Sequence, residues 1–137
     1  MSRLLRLAGA LAFLLILAGC FTERQNEGHR LYDANCSNCH GESGEGLRQL
    51  IPPLAGSDYL KVNRAALACL LRKGANGPMT VNGKLYQQVM PGNATLTDAE
   101  ITNLLNYVQT SWGNSNEVFT IREVTEQLTG CGGSIVR

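Results

Sequence analysis

The chain is poor in the residues on which most catalytic and nucleic-acid-binding proteins rely. Of its 137 residues only two are histidine, one is tryptophan and eight are aromatic. Basic and acidic side chains number 12 and 11, a formal charge of +1, which excludes a strongly basic nucleic-acid binder and an acidic disordered tail. The longest apolar stretch, Leu7 to Ala18, has twelve residues and is too short to span a bilayer. There is no internal repeat and no low-complexity run. The length suits one domain and is short for two. No acid–base pair, activated nucleophile or substrate pocket can be read from the chain, so an enzyme is not expected.

What is present is unevenly placed. Fourteen of the first 19 residues are apolar, and Arg3 and Arg6 precede the apolar stretch, the arrangement of an export signal. The stretch ends in Leu17-Ala18-Gly19-Cys20, which resembles the bacterial lipobox. That resemblance implies a signal peptide over residues 1–19, a lipidated Cys20, and a polar tether over residues 20–26. Acyl chains bury about 0.8 kcal/mol per methylene, so the mature chain is expected on the periplasmic side of a bacterial membrane, inner or outer. The alternatives are an ordinary signal peptide with an incidental Cys20, or an uncleaved anchor.

Cys36-Ser37-Asn38-Cys39-His40 is C-x-x-C-H, the attachment signature of c-type haem. Two cysteines three apart on a helical turn can add their thiols to the two vinyl groups of a porphyrin, and the adjacent imidazole then lies under the iron. A thioredoxin-like redox pair would need a βαβ pattern and leaves His40 unexplained. A zinc site would need further ligands, and the one other histidine is His29, expected on the solvated surface.

Iron also needs a sixth ligand or an open site. Met90 lies 50 residues after His40, before Pro91, in a segment expected to be a loop. It is the favoured ligand, with Met79 as the reserve and an open or histidine-bound iron as the remaining case. His–Met ligation implies a fairly high potential.

At residues 27–112 the chain resembles the class I monohaem c-type cytochromes. Gly28 and Tyr32 stand eight and four residues before Cys36, where that family places a small residue and an aromatic. The resemblance implies a close crossing of the first helix over the last, with Leu104 and Tyr107 as partners. Pro52-Pro53-Leu54-Ala55-Gly56 matches the family's proximal loop, implying that the Pro52 carbonyl accepts the second ring N–H of His40. Asn82 and Tyr86 are candidates for bonding the methionine or a propionate, with core packing the plainer role for Tyr86. The implied fold is all-α, three to five helices wrapped around one covalently attached haem c.

Helices are expected over Glu27–Asn35, Arg64–Lys73 (ended by Gly74), and, as a short piece, Leu85–Val89. Capping boxes at Thr97–Glu100 and Thr120–Glu123 each open another helix, the first ended by Trp112-Gly113. Residues 113–137 form an extension with the second of these. With Cys20, Cys36 and Cys39 assigned, Cys69 and Cys131 remain. In an oxidising compartment they are expected to pair, worth roughly 4 kcal/mol if unstrained; two free thiols is the alternative.

The expected role is a membrane-anchored carrier that shuttles single electrons between respiratory redox proteins, without nucleic acid as partner. The alternatives are a haem subunit of a larger oxidase, nitrite reductase or dehydrogenase, and an open-site haem enzyme or sensor.

Overall fold

The computed structural model describes residues 27–131. The expected signal segment, Cys20 with its tether, and residues 132–137 lie outside the described residues.

Helix α1 covers residues 27–35, turns at Cys36, and continues as α2 (Ser37–His40). The Cys36 N–H still donates to the Tyr32 carbonyl at 2.8 Å, and the His40 N–H to the Cys36 carbonyl at 2.9 Å. The C-x-x-C-H segment is therefore one helical turn hung on α1. Helix α5 (Asp98–Thr110) opens on a complete capping box: Thr97 accepts from the Glu100 N–H while the Glu100 carboxylate accepts from the Thr97 N–H. Its Ile101, Leu104, Leu105 and Val108 form one buried stripe.

The crossing of α1 over α5 is made at Gly28. A Cβ there would lie 2.5 Å from the Asn103 carbonyl oxygen and 2.7 Å from the Tyr107 Cβ. Tyr107 is the expected partner; Asn103, rather than Leu104, takes the other place. Beside the crossing, Tyr32 packs against Trp112 and Tyr107 with ring centroids 4.8 and 5.6 Å away. His29 is exposed, 3.5 Å from the Asp33 carboxylate.

The expected helix over Arg64–Lys73 is split into a 3-10 turn (Arg64–Ala66) and α4 (Leu67–Lys73). In an unbroken helix the Ala68 N–H would bond to the Arg64 carbonyl. Here the Gln127 side-chain amide stands between them, accepting from Ala68 N–H at 3.1 Å and donating to the Arg64 carbonyl at 3.2 Å. A side chain inserted into the helical ladder breaks it at that point. A further one-turn helix, α3 (Tyr59–Val62), precedes the 3-10 turn.

The all-α expectation needs correction in two places. Leu85–Val89 is not helical; β2 (Met79–Val81) and β3 (Lys84–Tyr86) form a hairpin with Met79 opposite Tyr86. Its two-residue loop is Asn82-Gly83, with φ of 50° and 73°, the turn that favours this dipeptide. The Met90 segment is not a free loop either: β4 (Met90–Pro91) pairs antiparallel with β1 (Gly74–Ala75). Among the described residues there are thus six α-helical segments and two small antiparallel ladders.

The expected extension is docked rather than loose. Helix α6 (Ile121–Gly130) opens on the Thr120–Glu123 capping box, and Phe119 and Val124 join the same buried cluster as α1 and α5. Cys69 and Cys131 are joined by a disulfide with their Cα atoms 5.6 Å apart.

Gly28→Ala should place a methyl group against backbone and lower stability by about 1–3 kcal/mol. The check is the midpoint of denaturant unfolding, with the neighbouring exposed His29→Ala as a control that stays close to the parent.

Candidate functional site

Helices α4 and α5 turn apolar faces toward each other but do not close. Between them, with the segment around Pro52 and the two ladders at its edges, lies an apolar cleft. Leu67, Leu70 and Leu71 of α4 line it together with Leu104, Leu105 and Val108 of α5. Cys36, His40, Met79 and Met90 all reach the same lining.

His40 is the most constrained of the four. It is 8% exposed, and its Nδ1 lies 3.0 Å from the Pro52 carbonyl oxygen. A carbonyl only accepts, so Nδ1 carries the proton and the Nε2 lone pair is left for the cleft. Burial pushes the imidazole pKa down, with the Pro52 bond opposing it, and burial is the larger effect. A neutral imidazole with one committed nitrogen is the form that ligates iron.

Pro52 is itself held from two directions. The Gly44 carbonyl accepts from the Leu54 and Ala55 N–H groups at 2.7 and 2.9 Å. Asn114 accepts from the Gly56 N–H and donates to the carbonyls of Leu54 and Val108, each at 2.9 Å. The buried Asn114 side chain thus joins the proximal loop to the end of α5. Sequence reasoning missed it, since an asparagine after a helix reads as an ordinary turn residue.

Cys36 is half-buried on the lining, and Cys39 is exposed one turn on. Burial, with the nearby Cys39 as a lesser cause, pushes the Cys36 thiol up to about 11. Met90 is fixed by close backbone approach: a Cβ on Gly74 would collide with the Met90 carbonyl oxygen and lie 2.5 Å from the Gly92 nitrogen. Gly74 also has a φ of 76°, which favours glycine. Met79 reaches the lining from the hairpin.

The two polar candidates for the distal side are elsewhere. Asn82 and Asp58 exchange bonds, each accepting on its side chain from the other's N–H, at 3.0 and 2.7 Å. Tyr86 is buried in the hairpin and does not line the cleft. Ser57 and Tyr59, unremarked in the sequence, are the hydroxyl-bearing residues on the lining.

The donor set fits an iron porphyrin. Among the described residues no group of three or more His, Cys, Asp or Glu comes together as a cage for a bare metal ion. The chain offers two thiols one turn apart, one imidazole nitrogen and a thioether beside an apolar cleft, which are the groups needed to tether a macrocycle and cap its metal.

Residues 25–112 match the family model "Cytochrome c". The chain is 37% identical over 123 residues to "Cytochrome c-552" of Thermus thermophilus, covering 83% of this chain and 81% of that protein. It is 33% identical over 92 residues to the cytochrome c subunit of the quinone alcohol dehydrogenase of Gluconobacter oxydans, covering 66% of this chain and 19% of the relative. The match over most of the chain and the cleft with its C-x-x-C-H turn agree: the protein belongs to the cytochrome c family, non-catalytic electron carriers with covalently attached haem c.

Proposed function

We propose that this chain is a single-haem electron carrier tethered by Cys20 to the periplasmic side of a bacterial membrane, passing single electrons between respiratory redox proteins. Cys36 and Cys39 would hold the haem through thioether bonds, and His40 and Met90 would ligate its iron. When bound, the haem supplies the Fe(II)/Fe(III) couple. The protein's part is to orient His40 through Pro52, keep water from the apolar cleft, and present a docking face. The observation that carries this reading is the shared cleft: a committed imidazole and a thioether-bearing strand on the lining that also holds Cys36.

Met90 is preferred over Met79 because its segment packs backbone against backbone on the end of α4, with Gly74 against the Met90 carbonyl and Gly92 against Arg72 and Lys73. Met90→Ala should abolish the far-red methionine–iron absorption band of the oxidised protein, and Met79→Ala should retain it. A band that survives Met90→Ala would sink the assignment.

The docking face is read from two segments. Leu47, Leu50, Leu85 and Val89 are about half exposed, and a shallow depression places Gln49 beside Leu85. Arg48 and Lys84 are the only charges in residues 46–54 and 79–91. An apolar centre with sparse positive charge suits a partner with an apolar patch and an acidic rim. Leu50→Glu with Leu85→Glu should slow electron transfer to such a partner on the order of tenfold while leaving the optical spectrum unchanged. Stopped-flow mixing with the partner reads this directly.

A second reading is a haem subunit of a larger dehydrogenase complex, favoured by the likeness to the alcohol dehydrogenase subunit. The same face would then meet a fixed partner. For the anchor, Cys20→Ala should move the protein from the membrane fraction to the soluble fraction, and an unchanged distribution would refute lipid attachment.

A further inference from the structure

We infer that the C-terminal helix and its disulfide are the brace that holds the methionine strand against the haem iron, making Cys69, Cys131 and Arg72 positioning residues for the distal ligand. This rests on the assignment of Met90 made above. The link runs through α4, which carries two sets of contacts on different sides.

Toward the cleft, α4 holds the whole segment that follows Met90. The Gly74–Ala75 strand pairs with Met90–Pro91. The Leu71 carbonyl accepts from the Asn93 N–H at 2.8 Å. Arg72 donates to the carbonyls of Ala94 and Leu96 at 3.0 and 2.7 Å. Two successive residues of α4, Leu71 and Arg72, and the strand after it therefore set where Met90 sits. The two-residue ladder could not do so alone, since isolated short pairings are marginal.

Away from the cleft, α4 is fastened to α6 at both ends. Gln127 occupies its first ladder position, between Arg64 and Ala68. The Cys69–Cys131 disulfide clamps its middle, and Lys73 Nζ donates to the Cys131 carbonyl near its last turn. Helix α4 has seven residues, too few to be stable by itself in water, so its position is that of its attachments. Both cysteines are buried, at 4% exposure, which marks the bond as a lasting brace rather than a thiol switch.

The test uses the ferric holoprotein and exogenous imidazole, which binds iron only when the methionine strand opens. In Cys69→Ser/Cys131→Ser, imidazole affinity should rise on the order of tenfold under conditions where far-ultraviolet circular dichroism shows a folded chain. Arg72→Met, with the disulfide intact, should raise it in the same direction. The two effects combined should fall short of additive, because they open the same strand. Unchanged imidazole affinity in a folded, disulfide-free protein would overturn the brace and leave the disulfide as a contributor to global stability alone. If the double serine variant does not fold, Cys69→Ala/Cys131→Val, which removes the bond but keeps the buried site apolar, is titrated in the same way. Met90→Ala separates the two readings. Loss of its methionine–iron band with no effect of the disulfide refutes only the brace, whereas a retained band refutes the ligand assignment itself.

Discussion

The bond between His40 Nδ1 and the Pro52 carbonyl is the constraint around which the rest of the structure is arranged. An imidazole can serve as an axial ligand only in the neutral form, with the correct nitrogen free, and held still. Burial supplies the first condition and Pro52 the other two. Pro52 can do this because Gly44 and Asn114 hold the loop that follows it, and Asn114 in turn bonds to the end of α5. Helix α5 is placed by its crossing with α1 at Gly28, and α1 leads directly into the turn that carries His40. The proximal side is thus a closed circuit of short-range contacts, each link fixing the next.

The distal side is built on a different plan. The methionine strand leans on α4, and α4 leans on α6. The proximal side is held by elements close to the haem motif in sequence or packed directly on it, whereas the distal side depends on the end of the chain. Such an arrangement lets the two sides of the cleft differ in rigidity within one small protein.

Much of the proximal site was legible in the sequence because its signals are local. A C-x-x-C-H turn, a capping box and a glycine one turn before a tyrosine all declare themselves within a few residues. The contacts that escaped are long-range or lack periodicity. Gln127 breaks a helix 59 residues away, an effect no reading of Arg64–Lys73 could supply. Two-residue strands such as Met90–Pro91 carry no alternation to detect. The hairpin is different: Asn82-Gly83 is a strong turn signal. It lost to a helical reading of Leu85–Val89, where exposed Leu85 and Val89 imitate an apolar stripe. Asn82 and Tyr86 then turned out to serve that hairpin rather than the cleft.

The buried Cys36 thiol has a consequence for the order in which the molecule is made. Addition of a cysteine to a vinyl group proceeds through the thiolate, and burial in the cleft holds the thiolate fraction of Cys36 below that of an exposed cysteine. The finished cleft is therefore a poorer place to form that bond than an open chain, in which Cys36 meets solvent. The C-x-x-C-H segment precedes Cys69 and Cys131 in the chain, so it leaves the ribosome before the disulfide between them can form. The interval before that disulfide is a window in which cofactor loading can come first and closure second, so that assembly has a direction built into the order of the residues.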